Sequence, residues 1–196
     1  MDLLRKSIER ITPLTDEEWR LILEKSKCIQ LKKGEFLQTQ NSFVVYECFV
    51  LSGCFKTYIM NENGTETVIF FTFGNEWICD LNAFYHKKQA SYNIRALEDS
   101  ELIIITKPAK DVLFTKIPKL VNFHIYMIEK ANIVLQQRVL DLMNKTSKER
   151  YADFIHKNAD RLRTVNNKNL SSYLGISQEF LSRIKKEGEV YNGHAR

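Results

Sequence analysis

From Cys28 to Thr106 the sequence runs as short stretches rich in β-branched and aromatic residues, cut at Lys33-Gly34, Ser52-Gly53, Asn61-Glu62-Asn63-Gly64 and Phe73-Gly74-Asn75. Such runs read as strands, because branched and aromatic side chains pack well on a pleated surface while Gly and Asn supply the turns. Phe49 to Met60 and Thr65 to Phe73 flank the Asn-rich turn as a hairpin, and Asn93 to Leu97 and Leu102 to Thr106 supply later strands. No long helical period interrupts them, which predicts an antiparallel sandwich or a jelly-roll barrel. Ahead of it, Thr15-Asp16-Glu17-Glu18 before Trp19, Leu21, Ile22 and Leu23 reads as a capping box opening a short helix that ends near Lys25. After Pro108 the period becomes helical. The expected fold class is α+β, divided into a β-roll with its N-terminal helix (1–110), a long helix (111–145) and a small C-terminal helical part (146–196).

The helical part opens with a seam. Apolar residues fall at Val121, Ile125, Ile128, Leu135, Val139 and Leu142, with Asn132 in the remaining slot, so the steps of four and three are unbroken. With Ile125, Asn132 and Val139 at a positions, and Leu at two of the d positions, the pattern favours two parallel strands. The 22 residues from 121 to 142 span about 33 Å. A buried Asn132 meeting its own copy across the axis would fix register and chain number. Phe123, Met127, Ile133, Val134 and Leu140 form a second apolar face, expected to lie against the roll.

Leu170 to Lys186 meets the demands of two short helices joined by a sharp turn. Ser171 is the small residue at the crossing, Gly175 tolerates the turn, and Leu170, Leu174, Ile176, Leu181 and Ile184 lock the pair. Ser177 is placed to cap the second helix, whose start then faces a DNA phosphate. Gln178, Glu179, Ser182 and Arg183 face outward there as base-reading types, and Lys168, Asn169, Ser177, Lys185 and Lys186 are expected to hold phosphates. Charge agrees with this. Residues 1–144 carry 18 Lys+Arg and 18 Asp+Glu, whereas 145–196 carry 11 and 6, so the whole surplus of +5 lies in the last quarter.

Other chemistries find little support. Cys28, Cys48, Cys54 and Cys79 lack CxxC spacing and read as buried, reduced thiols, and His86, His124, His156 and His194 are scattered singly, so no metal set emerges. No nucleophile–base pair, carboxylate dyad or Gly-rich phosphate loop suggests an enzyme. Met1 to Arg10 mixes charged and apolar residues with no apolar run, so neither a secretory signal nor a membrane span is expected, and the chain is assigned to the cytoplasm.

The order N-terminal helix, β-roll, long helix and C-terminal helix-turn-helix resembles the Crp/Fnr family of transcription regulators over nearly the whole chain. Leu174-Gly175-Ile176-Ser177, Glu179 and Leu181-Ser182-Arg183-Ile184 carry the closest local match, and Lys148-Glu149-Arg150-Tyr151 looks like the family's start to the helix that opens the DNA-binding domain. The resemblance implies that Gln178, Glu179 and Arg183 contact base edges, and that the partners are double-stranded DNA bearing an inverted repeat, a second copy of the chain, and RNA polymerase. In the family's cyclic-nucleotide members, Gly-Glu-Leu and a following Arg-Ser pair grip the cyclic phosphate. Here Cys79-Asp80-Leu81 and Ala90-Ser91 stand in those places, and only Arg95 remains nearby, so the bidentate cation is missing and cyclic AMP is not the expected effector. An unidentified small molecule in this pocket is the remaining effector reading. Residues 1–27 hold no cysteine for an iron–sulfur cluster and a lone His86 does not make a haem ligand, so no cofactor is expected. The family's β-wing would have only Arg161 to Asn166 to form from. A competing reading keeps the roll as a ligand-sensing or protein-docking module whose terminal helices serve assembly; the basic surplus and Arg183 weigh against it.

Overall fold

The computed structural model describes residues 1–193, the side chains at 160, 162 and 188–193 apart; His194 and the end of the third expected domain lie outside the described residues. Two N-terminal helices, α1 (Asp2–Glu9) and α2 (Asp16–Glu24), precede strands β1 (Ser26–Leu31), β2 (Phe36–Gln38), β3 (Tyr46–Ser52), β4 (Cys54–Met60), β5 (Glu66–Phe73) and β6 (Trp77–Ile78). A short α3 (Leu81–His86) leads to β7 (Asn93–Ala96) and β8 (Ser100–Thr106), followed by α4 (Lys107–Lys116) and α5 (Leu120–Asn144). The last part comprises α6 (Ser147–Asn158), a 3-10 helix (Ala159–Thr164), α7 (Asn167–Leu174) and α8 (Gln178–Gly193). Thr15 caps α2 as expected: its hydroxyl accepts from Glu18 N at 3.2 Å while Glu18 reaches back to Thr15 N at 2.7 Å.

The strands form two antiparallel sheets, ordered β1-β8-β3-β6 and β2-β7-β4-β5. Leu37, Val50, Phe55, Ile94 and Leu102 are buried between them. Side chains alternate across a strand, so Phe49, Ile103 and Ile105 point the other way. There they pack with Leu4, Ile8, Ile22, Leu113, Leu120 and Phe123 from the flanking helices. The first sheet is thus apolar on both faces.

Several expectations are corrected. Phe49 to Met60 is not one hairpin arm: the chain breaks at Gly53 (φ +109), β3 joins the first sheet, and only β4 pairs with β5. A Cβ at Gly53 would lie 2.0 Å from Ser100 Oγ. The segment 111–145 is two helices rather than one, since Pro118 forces Ile117 out of helical backbone (φ −130, ψ 72). Of the second apolar face on α5, Phe123 is buried and Met127 packs beside it, but Ile133, Val134 and Leu140 are exposed. Cys48 and Cys54 are buried and Cys79 half-buried, while Cys28, on edge strand β1, is exposed. Burial pushes the Cys54 thiol up to about 12.

Beneath α5 lies a buried charge network. Lys110 pairs with Glu47, both almost fully buried, and lies 3.2 Å from His124 Nδ1, while His124 Nε2 lies 2.8 Å from Tyr85 Oη. An ammonium only donates, so Nδ1 accepts and Nε2–H donates to Tyr85. Burial and then the Lys110 charge hold the His124 pKa below its ordinary value, which keeps the imidazole neutral in this role. Among the described residues no helix is long and apolar enough to cross a membrane.

Candidate nucleic-acid interface

Asn166 caps α7, its side-chain oxygen accepting from Asn169 N at 2.9 Å. The helix ends at Gly175, whose left-handed backbone (φ +68, ψ 38) turns the chain, and Ile176 N donates to Ser171 O at 3.0 Å. Ser177 then opens α8, its hydroxyl accepting from Phe180 N at 3.1 Å. Leu170, Leu174, Leu181 and Ile184 are buried, and Ile176 packs half-buried against them. These residues are local in sequence, which is why spacing alone placed them.

The face this pair presents carries Lys168, Ser177, Gln178, Glu179, Ser182, Arg183 and Lys186, all exposed. Arg183 lies beside the Phe180 ring, 5.9 Å from its centroid. The Glu179 carboxyl is held below its usual range by its own backbone N–H and by Ser177. Lys185 is half-buried and donates to Asn167 Oδ1 at 2.6 Å. Asn169 is a correction: read as a phosphate contact, it is 5% exposed and turned toward the roll, its Oδ1 accepting from Lys56 Nζ at 3.3 Å. No β-wing forms between α6 and α7. The 3-10 helix Ala159–Thr164 occupies that segment, too short a stretch to make two strands and a turn.

Along α5 the seven seam positions, Val121, Ile125, Ile128, Asn132, Leu135, Val139 and Leu142, are all exposed. Among the described residues none buries them, so α5 presents a continuous, largely apolar stripe.

The expected effector pocket is arranged differently. Asp80 is buried and its carboxylate accepts from two backbone donors, Ala83 N at 3.1 Å and Ser91 N at 2.9 Å. It thereby caps α3, begun by Leu81, and ties it to the start of β7. Tyr92 Oη donates to Cys79 O at 3.1 Å, and Ala90 is buried. Arg95 does not point at an open anion site: its Nε donates to Gly34 O at 2.7 Å and its guanidinium lies over Phe36. The pocket's polar groups therefore satisfy one another. Replacing Asp80 by Ala leaves two buried N–H groups without an acceptor and is expected to lower stability by about 1–3 kcal/mol, read as a shifted midpoint in denaturant unfolding. An unchanged midpoint would show that the carboxylate is dispensable.

Spacing gave no sign of one group of contacts. Lys56, Glu66, Arg138 and Ser172 join the roll and α5 to α7, across sequence separations of up to 113 residues. Only their polar character in otherwise apolar strands and helices hinted at a partner.

The roll and its flanking helices define the class: residues 28–116 match the family described as cyclic nucleotide-binding domain. Over 167 residues the chain is 27% identical to the transcriptional activator protein Anr of Pseudomonas protegens, covering 79% of this chain and 67% of that one. FixK2 from Bradyrhizobium japonicum has the same fold, with a TM-score of 0.75 at 16% identity over 85% of this chain and 86% of that one. A transcriptional regulator of the Crp/Fnr family from Eubacterium rectale gives 0.70 at 20% identity, over 91% and 85%. Residues 28–116 thus form a domain of the cyclic nucleotide-binding class, and most of the chain is similar to transcription regulators of the Crp/Fnr type and shares their fold.

Proposed function

We propose that the chain acts as a parallel homodimer, joined along 121–142, that reads an inverted repeat with α8. The observation that carries this is the turn at Gly175 with Gln178, Glu179, Ser182 and Arg183 exposed on the following helix. Arg183 would donate to guanine, Gln178 to adenine and Glu179 would accept from cytosine, while Lys168, Ser177, Lys185 and Lys186 hold phosphates. In this reading residues 1–110 form the sensor, 111–145 the dimer module and 146–196 the DNA-binding module. The protein works in the cytoplasm, contacts RNA polymerase and catalyses no reaction of its own. Its effector is not cyclic AMP, since Asp80 already occupies the backbone donors and Ala90 supplies no cation.

The test is selection of bound duplexes from a random pool, with titration calorimetry of cyclic AMP on the same preparation. The expected outcome is an inverted repeat with half-sites about 34 Å apart and no heat from cyclic AMP. Recovery of a single, unrepeated half-site would overturn the dimeric readout. Micromolar binding of cyclic AMP would overturn the reading of the pocket.

A further inference from the structure

β5 is the last strand of its sheet, so one edge of it has no neighbouring strand. α7 takes that place. Ser172 Oγ accepts from Val68 N at 2.9 Å and donates to Glu66 O at 2.7 Å, so a single hydroxyl satisfies both a donor and an acceptor of the strand edge. Beside it, Phe71 of β5 lies 5.8 Å from Phe154 and 5.2 Å from Tyr173 between ring centroids, joining the outer face of the sheet to α6 and α7.

The same face carries Lys56, opposite Phe71 in the β4–β5 ladder. Its ammonium is buried against Glu66, lies 4.4 Å from the Tyr58 ring centroid, and finds its remaining acceptor on Asn169 of α7. A charge on an outward sheet face is dry only where something covers it, and α7 is the cover. From the other side Arg138 of α5 stacks on Tyr173 at 3.8 Å and donates to Tyr173 O at 3.1 Å. α7 is therefore gripped by the sensor and by the long helix together. Buried polar contacts of this kind add little net stability but admit few alternative arrangements.

We propose that the β5 edge, with Ser172, Lys56 and Asn169, is a seat that positions the helix-turn-helix for DNA, so that the sensor sets operator affinity through this contact. Ser172 and Asn169 are positioning residues and touch no DNA. The recognition side chains remain exposed in the seated arrangement, so seating favours DNA binding and does not block it. This rests on the DNA-reading assignment made above.

The experiment compares the full chain with Ser172→Ala and Asn169→Ala in three measurements. Tryptic cleavage at Arg161 and Arg163, in the 3-10 helix, is expected to quicken about tenfold in both variants, because local opening exposes that segment. The unfolding midpoint read by Trp19 and Trp77, both in the layer around the first sheet, is expected to hold. Affinity for the selected operator is expected to fall about tenfold while affinity for scrambled duplex and its salt dependence stay put. Unchanged cleavage, or operator affinity equal to or above wild type, overturns the seat. A flattened salt dependence in Asn169→Ala would instead make Asn169 a phosphate contact and overturn its place in the seat. If wild type binds no duplex at all, the DNA reading fails and the positioning role with it, while faster cleavage in the variants would still establish the contact.

Discussion

Replacing Ile128 and Leu135 together by Asp is expected to turn a particle of about twice 23.0 kDa into one of 23.0 kDa in sedimentation at micromolar concentration. Both residues are exposed on α5 within the stripe from Val121 to Leu142, and the substitution places four carboxylates along the axis of the pair. The apolar contact is lost and repulsion between the facing carboxylates takes its place. Operator affinity is expected to fall by about 10²–10⁴, because the second half-site is no longer presented at high effective concentration. The unfolding signal of the roll should persist, since neither side chain belongs to its core. A wild-type chain that sediments as a monomer would remove the seam from the account. A doubly substituted chain that remains a dimer would move the interface elsewhere.

Arg183→Ala is the second large effect. On the selected operator it is expected to cost about 1–3 kcal/mol and to relax preference at one base pair in each half-site, as loss of a bidentate guanine contact does. Lys186→Ala should weaken operator and scrambled duplex nearly alike and make binding less sensitive to salt, because a phosphate contact releases counterions wherever the protein binds. Both side chains are exposed, so neither substitution disturbs the buried lock of Leu170, Leu174, Leu181 and Ile184. Equal proportional losses on both duplexes for both variants would mean that α8 follows charge without reading sequence.

What could be read without coordinates was whatever is written locally. The Thr15–Glu18 box, the Gly175 turn with its apolar lock, and the outward set on α8 each depend on residues within a few positions of one another, and each stands in the structure. α1 is not legible in the sequence although Leu4 and Ile8, four apart, are its buried pair; eight residues with frequent charges look like a tail until α2 and β3 are there to bury them. α3 is hidden differently: in the sequence Asp80 stands as a departed ligand contact, and its role as the helix cap shows only when Ala83 N and Ser91 N converge on it. Asn169 failed for a related reason. A polar residue at the start of a basic helix suits a phosphate, and nothing nearby in sequence announces a lysine 113 residues away.

The far half of α5 has one more consequence. Ile133 and Met143 are 65% and 77% exposed on a helix that also bares its seam, so a lone chain offers water a long apolar surface on more than one side. In the homodimer proposed above, association would be the closing step of folding, and free energy of unfolding would become a function of how much protein is present. Abundance in the cell would then act as a second input beside any small molecule: dilute chains would be less stable and more exposed, and operator occupancy would rise more steeply than in proportion to supply.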